Sequence, residues 1–191
     1  MTGLRANAGD AVHLGLASAY VPSSRFEELA RALSEGEHAD AATTRLRSDI
    51  APGPIIANRA LIDRCFSAAS PSEILARLDA EPSAFAADAA KAMRAKAPLS
   101  LAIAFRQMAI GGSLSIDEAM QTEFRIVSRV CRGKDFYEGI RATILDKDFA
   151  PQWSHASIES VASEEVDSYF APLAPDDELI FETERAREAV S

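Results

Sequence analysis

The chain has 191 residues, of which 48% are hydrophobic and 7% aromatic, and its formal net charge at pH 7 is −9. This composition predicts a folded protein with one core of ordinary size, or two small helical layers that share a core. The acidic balance argues against nucleic acid as a partner, because phosphate binding needs a basic face and no cluster of lysine and arginine forms one.

The cysteines and the apolar runs argue against several other classes of protein. Cys65 and Cys131 match neither a disulfide framework nor a metal-ligand spacing, so we expect two buried thiols and no metal site. No run of about 18 apolar residues predicts a membrane span. His13 interrupts the apolar run over residues 11–21, which no cationic leader precedes, so we expect no signal peptide. We therefore predict a cytoplasmic protein, or a mitochondrial matrix protein in a eukaryote.

The N-terminal part predicts short helices. One is expected around residues 10–14, with Gly15 as a left-handed stop. Ser24 is placed to cap a second helix over residues 25–34. The sequence is then polar and predicts no further helix before residue 54.

The strongest breaker in the chain is Pro52-Gly53-Pro54. We place the main boundary there, between a helical linker region at residues 1–53 and a C-terminal helical domain at residues 54–191. The two regions are also compatible with one shared core.

Several helix signals follow this boundary, each with apolar periodicity or a start or stop signal. Up to Trp153 the signals of the whole chain give seven or eight helices and little strand, so the predicted fold class is all-α. Three helices are predicted over residues 55–69, 83–96 and 98–110, and Gly111-Gly112 ends the last of them. Another helix is opened by Ser70-Pro71-Ser72-Glu73, which combines a capping serine, a proline at the first helical position and a glutamate at the third. A weaker signal predicts a short helix from Ser163 that ends before Pro172.

A long helix is predicted from Ser115 to about Arg132. Ser115 and Glu118 have the spacing of a capping box, in which two side chains satisfy free backbone N–H groups. Apolar residues then recur on one side of the helix and predict its packed stripe. These residues are Ile116, Met120, Phe124, Val127 and Cys131.

The last clear helix lies in the stretch CRGKDFYEGIRATILDKDFAPQW, residues 131–153. Asp135 and Glu138 have capping spacing, which predicts a start near Phe136. An apolar stripe of Phe136, Ile140 and Ile144 predicts a packed terminal helix, and Pro151 ends it.

No catalytic centre is recognisable from the residues alone. His13, His38 and His155 each lack a second metal ligand at helical spacing, so we expect capping or surface roles for them. A Ser/His/Asp triad assembled across the fold stays open, although no GxSxG turn occurs. Gly111-Gly112-Ser113 lacks the lysine of a phosphate loop and is better interpreted as a helix end. We therefore assign no catalytic residue.

Three blocks together resemble the enoyl-CoA hydratase/isomerase (crotonase) superfamily. Residues 2–22 match T-G-x-x-L/I-x-A-x-D-A-x-x-x-G-L-A followed by Val-Pro. Residues 96–108 match S-P-x-S-L-x-x-T in part, and residues 131–153 resemble the C-terminal signature. The insertion over residues 46–85 points to the 3-hydroxyisobutyryl-CoA hydrolase branch.

The resemblance implies an all-α, multi-helix C-terminal region of a crotonase-like fold that lacks the N-terminal β/α core. That branch hydrolyses a CoA thioester in valine breakdown, with an oxyanion hole and acidic groups that lie in the core. No position here matches them, so we expect this chain alone to be inactive. CoA belongs to the substrate, and no separate cofactor is expected.

The resemblance also implies partners: an acyl-CoA substrate if the chain is joined to the N-terminal half, and self-association or binding to a crotonase core. Two alternatives stay open. One is a stand-alone, non-catalytic helical interaction module, and the other is an enoyl-CoA hydratase or isomerase rather than a hydrolase.

One site residue follows from the resemblance. In related hydratases the lysine after the terminal helix can contact the adenosine-phosphate end of CoA, and Lys147 occupies that place. A cation suits a phosphate. The alternative is that Lys147 pairs with Asp146, with Asp148 or with a helix C-terminus. We also expect Glu138 and Arg141 to brace each other.

Overall fold

The structure, a computed structural model, describes residues 1–181, so the end of the predicted domain 54–191 lies outside the described residues. Within residues 1–181 it contains eleven α-helices, short 3-10 and π turns, and no strand. The prediction of an all-α fold is confirmed.

The chain divides into two compact units, one formed by residues 3–67 and the other by residue 68 onward together with Met1 and Thr2. The predicted boundary after Gly53 rests on a sequence breaker rather than on compactness, and it stays a prediction.

The unit formed by residues 3–67 holds five helices. Most are short, because prolines, glycines and polar residues interrupt the apolar periodicity after one to two turns. They are α1 (Ala8–His13), α2 (Phe26–Ser34), α3 (Ala39–Leu46), α4 (Pro54–Ala57) and α5 (Arg59–Phe66).

A buried carboxylate joins α1 to α4. Asp10 is 1% exposed, and its Oδ1 accepts a 3.0 Å hydrogen bond from the N–H of Ile56 in the first turn of α4. The Oδ1 of Asn7 caps α1 by accepting the N–H of Asp10 at 2.8 Å. A Cβ on Gly53 would lie 2.2 Å from that oxygen and 2.4 Å from Oδ2 of Asp10, so only glycine fits between the two prolines.

Three local predictions in this unit need correction. Residues 39–46, expected to be polar loop, form α3, whose Ala42 and Leu46 are fully buried on one side at a four-residue spacing. Ser24 lies within a 3-10 turn and makes no capping bond, so α2 starts at Phe26. The single helix predicted over residues 55–69 is two helices that meet at Asn58.

The second unit holds the longer helices. Their start signals act as predicted: the N–H of Glu73 donates to Ser70 Oγ at 3.1 Å, and Ser115 and Glu118 form a reciprocal capping box. The helices are α6 (Pro71–Ala80), α7 (Ala84–Arg94), α8 (Pro98–Gly111), α9 (Ile116–Val130), α10 (Lys134–Ile140) and α11 (Ser163–Phe170), with a π turn at Arg141–Leu145 after α10.

The α9 helix buries a different face from the one its periodicity predicts. Its buried residue is Ile126, which packs with Leu99 and Ile103 of α8 and with Val166 of α11. The predicted stripe is exposed instead, with Ile116 at 75%. Cys131, at the end of that stripe, is also exposed, so the prediction of two buried thiols is wrong for Cys131 and right for Cys65.

Candidate functional site

The segment after α9 folds back on itself and forms the candidate site. The α10 helix begins at Lys134, close to the predicted start near Phe136. Its N-cap is Gly133, so the predicted capping pair of Asp135 and Glu138 is wrong. Asp135 Oδ1 instead accepts the N–H of Ser154 at 2.7 Å. The helical segment closes with the π turn at Leu145, before Pro151 is reached.

Arg141 is the centre of a hydrogen-bond network that holds the turn after α10. Its Nε and Nη2 donate to the two carboxylate oxygens of Glu138 at 3.0 and 2.8 Å, which confirms the predicted brace between these residues. Its Nη1 donates to Asp146 Oδ2 at 2.7 Å and to Asp148 Oδ2 at 2.6 Å. Nη2 also reaches the carbonyl of Ala150 at 3.4 Å.

The same network fixes the charges of its members. The guanidinium group of Arg141 and the N–H of Gln152 lower the pKa of Glu138 from its ordinary value of 4.5 to about 2. The pKa of Asp148 is also lowered, first by Arg141 and then by the N–H of Ala150. The three carboxylates in turn raise the pKa of Arg141. Glu138, Asp148 and Arg141 therefore stay charged at neutral pH, and their attraction holds the turn electrostatically.

Lys147 lies at the tip of this turn in a left-handed backbone conformation, with φ of 55°, and Phe149 follows with φ of 54°. Non-glycine residues adopt this conformation at a cost, and it persists where surrounding contacts dictate it. Those contacts are the Arg141 network and a 3.0 Å hydrogen bond from the N–H of Phe149 to the carbonyl of Ala142.

The ammonium group of Lys147 is available to bind a ligand, because its acidic neighbours pair with another residue. Asp146 and Asp148, the predicted alternative partners, both bind Arg141, and no ion pair of Lys147 occurs among residues 1–181. Leu145 and Phe149 flank it and are 70% and 72% exposed. An unpaired cation with exposed apolar side chains two residues away on either side of it in the sequence suits a ligand with a phosphate and a flat ring. The role of Lys147 itself stays a prediction.

Sequence reasoning missed how Arg141 reaches Asp146 and Asp148. The pattern Asp-Lys-Asp after a helical arginine was the available signal. Its geometry depends on the π turn, which places the side chains of residues 141 and 146 together more closely than a regular helix would.

A second polar cluster lies between α8, α10 and α11. His155 Nε2 is 3.0 Å from Glu165 Oε2, and its Nδ1 has no hydrogen-bond partner within the described residues, so no triad assembles through this histidine. Burial, aided by the charges of Glu165 and Asp135, raises the pKa of Tyr169. The cavity there has a volume of about 130 Å³, enough for water but not for an acyl-CoA.

The other histidines have local roles, in line with the sequence prediction. His13 Nδ1 lies 2.8 Å from the carbonyl of Gly9, and His38 caps α3 by accepting the N–H of Asp40. Residues 1–181 contain no group of three or more His, Cys, Asp or Glu side chains that could hold a metal ion. None of the helices in this range is long and apolar enough to cross a membrane.

Comparison with protein families shows which family the chain belongs to. The family model described as enoyl-CoA hydratase/isomerase matches residues 1–170. The chain belongs to the enoyl-CoA hydratase/isomerase family. The resemblance seen in the three sequence blocks is therefore confirmed.

Similar proteins of known name carry related names. The chain is 32% identical to the mitochondrial 3-hydroxyisobutyryl-CoA hydrolase of Danio rerio, over 91% of this chain and 48% of that protein. It is 30% identical to the Homo sapiens protein of the same name, over 93% and 48%. The chain thus spans about half the length of the curated relatives it matches.

Two crystal structures share its fold. A carnitinyl-CoA dehydratase from Mycobacterium thermoresistibile superposes with a TM-score of 0.86 at 29% identity, over 95% of this chain and 52% of that chain. An enoyl-CoA hydratase from Rhodobacter sphaeroides gives a TM-score of 0.82 at 40% identity, over 94% and 52%. These matches support the prediction of a helical C-terminal region of a crotonase-like fold.

Proposed function

We propose that the chain is the helical half of a CoA-thioester hydrolase that acts on 3-hydroxyisobutyryl-CoA in valine catabolism. The observation that carries this proposal is the match to 3-hydroxyisobutyryl-CoA hydrolases over more than nine tenths of the chain. In this role the helices cover the CoA site and mediate assembly. The oxyanion hole and the acidic groups of the reaction belong to the β/α core.

Lys147 is the residue that would contact CoA. Its ammonium group is a compact charge with three donors, which suits the phosphates at the adenosine end. Arg141 occupies the flanking aspartates, so the lysine does not have to break an ion pair to bind. Leu145 and Phe149 offer exposed apolar surface beside it for the adenine ring.

The exposed stripe of α9 supports the assembly role. A helix that presents apolar side chains such as Ile116 and Met120 to solvent gains free energy when another surface covers them. The proposed partners are the crotonase core or a second copy of the chain. The mitochondrial relatives support a mitochondrial location in a eukaryotic host, and the matrix and the cytoplasm stay predictions.

The test compares residues 1–191 alone with the same chain combined with a crotonase core. Hydrolysis of 3-hydroxyisobutyryl-CoA, followed by thiol release, is expected only from the combination. An enzyme-like rate from residues 1–191 alone would contradict the proposal, because the chain carries no predicted catalytic residue.

A hydratase is the second candidate, favoured by the 40% identity to an enoyl-CoA hydratase. The assembled protein should then add water to crotonyl-CoA, seen as loss of enoyl absorbance, and release no thiol. A third candidate is a non-catalytic helical interaction module, favoured by the exposed α9 stripe. In this case the assembled protein binds its partner but neither hydrolyses the thioester nor hydrates crotonyl-CoA. Met120→Glu should then weaken association, as measured by light scattering.

A further inference from the structure

A cavity of about 470 Å³ opens between α6, α7, α8 and the 3-10 turn at Ile158–Ser160. Its volume falls within the range of roughly 300–1,000 Å³ that is usual for small-molecule sites. No residue of the turn that carries Lys147 lines it, so the proposed CoA contact does not use this cavity.

The cavity offers apolar surface that a ligand can reach. Leu75 of α6 and Ile158 of the 3-10 turn line it and are only half-buried. A hydrocarbon chain of a few carbons would cover these side chains and lose its own contact with water, which favours binding. An apolar lining alone does not select one ligand over another, so selection depends on the charged groups.

Four charged side chains line the cavity, and two of them neutralise each other. Nη1 and Nη2 of Arg94 donate to the two carboxylate oxygens of Asp79, which links α7 to α6. This bidentate pair contributes no net charge. The two remaining groups, Lys96 and Glu159, therefore set the charge preference of the cavity.

Glu159 is the unpaired anion. Hydrogen bonds from the hydroxyl of Ser157, from its own backbone N–H and from the hydroxyl of Ser72 lower its pKa. No lysine, arginine or histidine among residues 1–181 pairs with it. Neutral donors orient a carboxylate without cancelling its charge, so Glu159 can still attract a cation.

Lys96 is the unpaired cation. It is exposed, lies between α7 and α8, and forms no ion pair within the part of the chain that the structure describes. Because it does not pair with Glu159, its ammonium nitrogen lies more than 4.0 Å from the carboxylate oxygens of that residue. The cavity thus has one free positive group and one free negative group with space between them.

These two groups select a ligand that carries both charges. A carboxylate without an amine would meet Glu159 as a like charge, and an amine without a carboxylate would meet Lys96. A zwitterion can place its ammonium group at Glu159 and its carboxylate at Lys96, while its hydrocarbon part covers Leu75 and Ile158.

We propose that this cavity binds small aliphatic amino acids as zwitterions, with the ammonium group at Glu159 and the carboxylate at Lys96. It would be a second small-molecule site of the protein, beyond the proposed CoA contact. It does not depend on whether the assembled protein is a hydrolase or a hydratase.

The test uses the full chain labelled with ¹³C at the leucine and valine methyl groups. Leu75 is the reporter, and the exposed Leu145 is the internal control. Val161 lines a neighbouring cavity beside α11 but not this one, so it reports binding at the wrong place.

The ligands share a six-carbon chain and differ in charge. Norleucine and 6-aminohexanoate carry both charges, hexanoate carries only the negative one, and hexylamine carries only the positive one. We expect saturable movement of the Leu75 signals. At least one zwitterion should bind about twofold to fivefold more tightly than both singly charged ligands, as an additional exposed charge pair allows.

Two variants locate the charges. Glu159→Gln is expected to remove the preference for the zwitterion over hexanoate, because the group that recognises the ammonium is lost. Lys96→Gln is expected to remove the preference over hexylamine, because the group that recognises the carboxylate is lost. Glu164→Gln and Lys91→Gln change exposed residues outside the cavity in the same way, and should bind as the native protein does.

Any of three results overturns the proposal: no saturable change at Leu75, no zwitterion that binds more tightly than both hexanoate and hexylamine, or preferences that persist in Glu159→Gln and Lys96→Gln. Movement of Val161 without Leu75 counts as the first result. The ligand series needs no substitution, so it stays decisive even if a variant disturbs the fold.

Discussion

Arg141 donates a hydrogen bond of 2.6 Å from Nη1 to Oδ2 of Asp148. The same nitrogen binds Asp146, so one guanidinium group engages the carboxylates on both sides of Lys147. The lysine is then presented on a turn whose backbone is fixed and whose acidic neighbours are occupied. The following predictions test this arrangement and the packing that supports it.

Replacing Lys147 should weaken CoA binding without affecting chemistry. In the assembled protein, Lys147→Gln is expected to raise KM for an acyl-CoA about fivefold to tenfold with kcat unchanged, since one charge-assisted phosphate contact is lost. A pantetheine thioester, which lacks the adenosine phosphates, should be unaffected. Lys91→Gln is the control, and an equal change for both thioesters would contradict a phosphate contact.

Replacing Arg141 should impair the same contact indirectly. Arg141→Lys keeps the charge but cannot bind Glu138 and both aspartates at once, because lysine lacks the planar fork of donors. We expect the KM for acyl-CoA to rise as much as in Lys147→Gln, and the double variant to add little. If the two effects on KM simply multiply, Arg141 does not act through Lys147.

Acid should destabilise the turn over a defined pH range. The pKa of Glu138 is 4.5 in its ordinary state and about 2 in the fold, so the unfolded chain takes up a proton first as the pH falls. The stabilisation is fully present above pH 4.5 and is lost as the pH falls toward 2. Glu138→Gln should flatten the stability profile in this range, as measured by chemical unfolding at a series of pH values. An unchanged slope would show that Glu138 does not contribute.

Gly53 should not tolerate a side chain. The Cβ of Gly53→Ala would approach the oxygens of Asn7 and Asp10 to 2.2 and 2.4 Å, and we expect a loss of about 1–3 kcal/mol in the free energy of unfolding. Gly111→Ala at the end of α8 is the control. No atom lies within 4 Å of its Cβ, so it should be neutral or stabilising by up to about 1 kcal/mol. If the two substitutions changed the free energy of unfolding equally, the close contact of Gly53 with Asn7 and Asp10 would be refuted.

The two faces of α9 should respond differently to truncation. Ile126→Ala removes a buried side chain that packs on α8 and α11, and is expected to lower the free energy of unfolding of residues 1–191 by about 2–4 kcal/mol. Ile116→Ala on the exposed stripe should change it by less than about 0.5 kcal/mol. The reverse order, measured by urea unfolding, would mean that the stripe is the packed face.

Local signals predicted most of the helices. The caps at Ser70 and Ser115 act as expected because a capping bond needs only the side chain and the next turn of backbone. The helix α3 was missed because its buried pair, Ala42 and Leu46, is short and surrounded by polar residues. The cap of α10 was assigned wrongly because Asp135 binds the N–H of Ser154, a partner that local spacing does not reveal.

The sequence by itself determined the all-α class, the family, and the position of Lys147, since propensity, capping and motif spacing are properties of neighbouring residues. Only the tertiary structure decided that α9 buries Ile126 rather than the stripe from Ile116, and that Arg141 occupies both aspartates beside Lys147. The physical reason is that an apolar stripe or a pair of carboxylates has several possible partners. The packing of α8 and α11 and the close turn after α10 select among them.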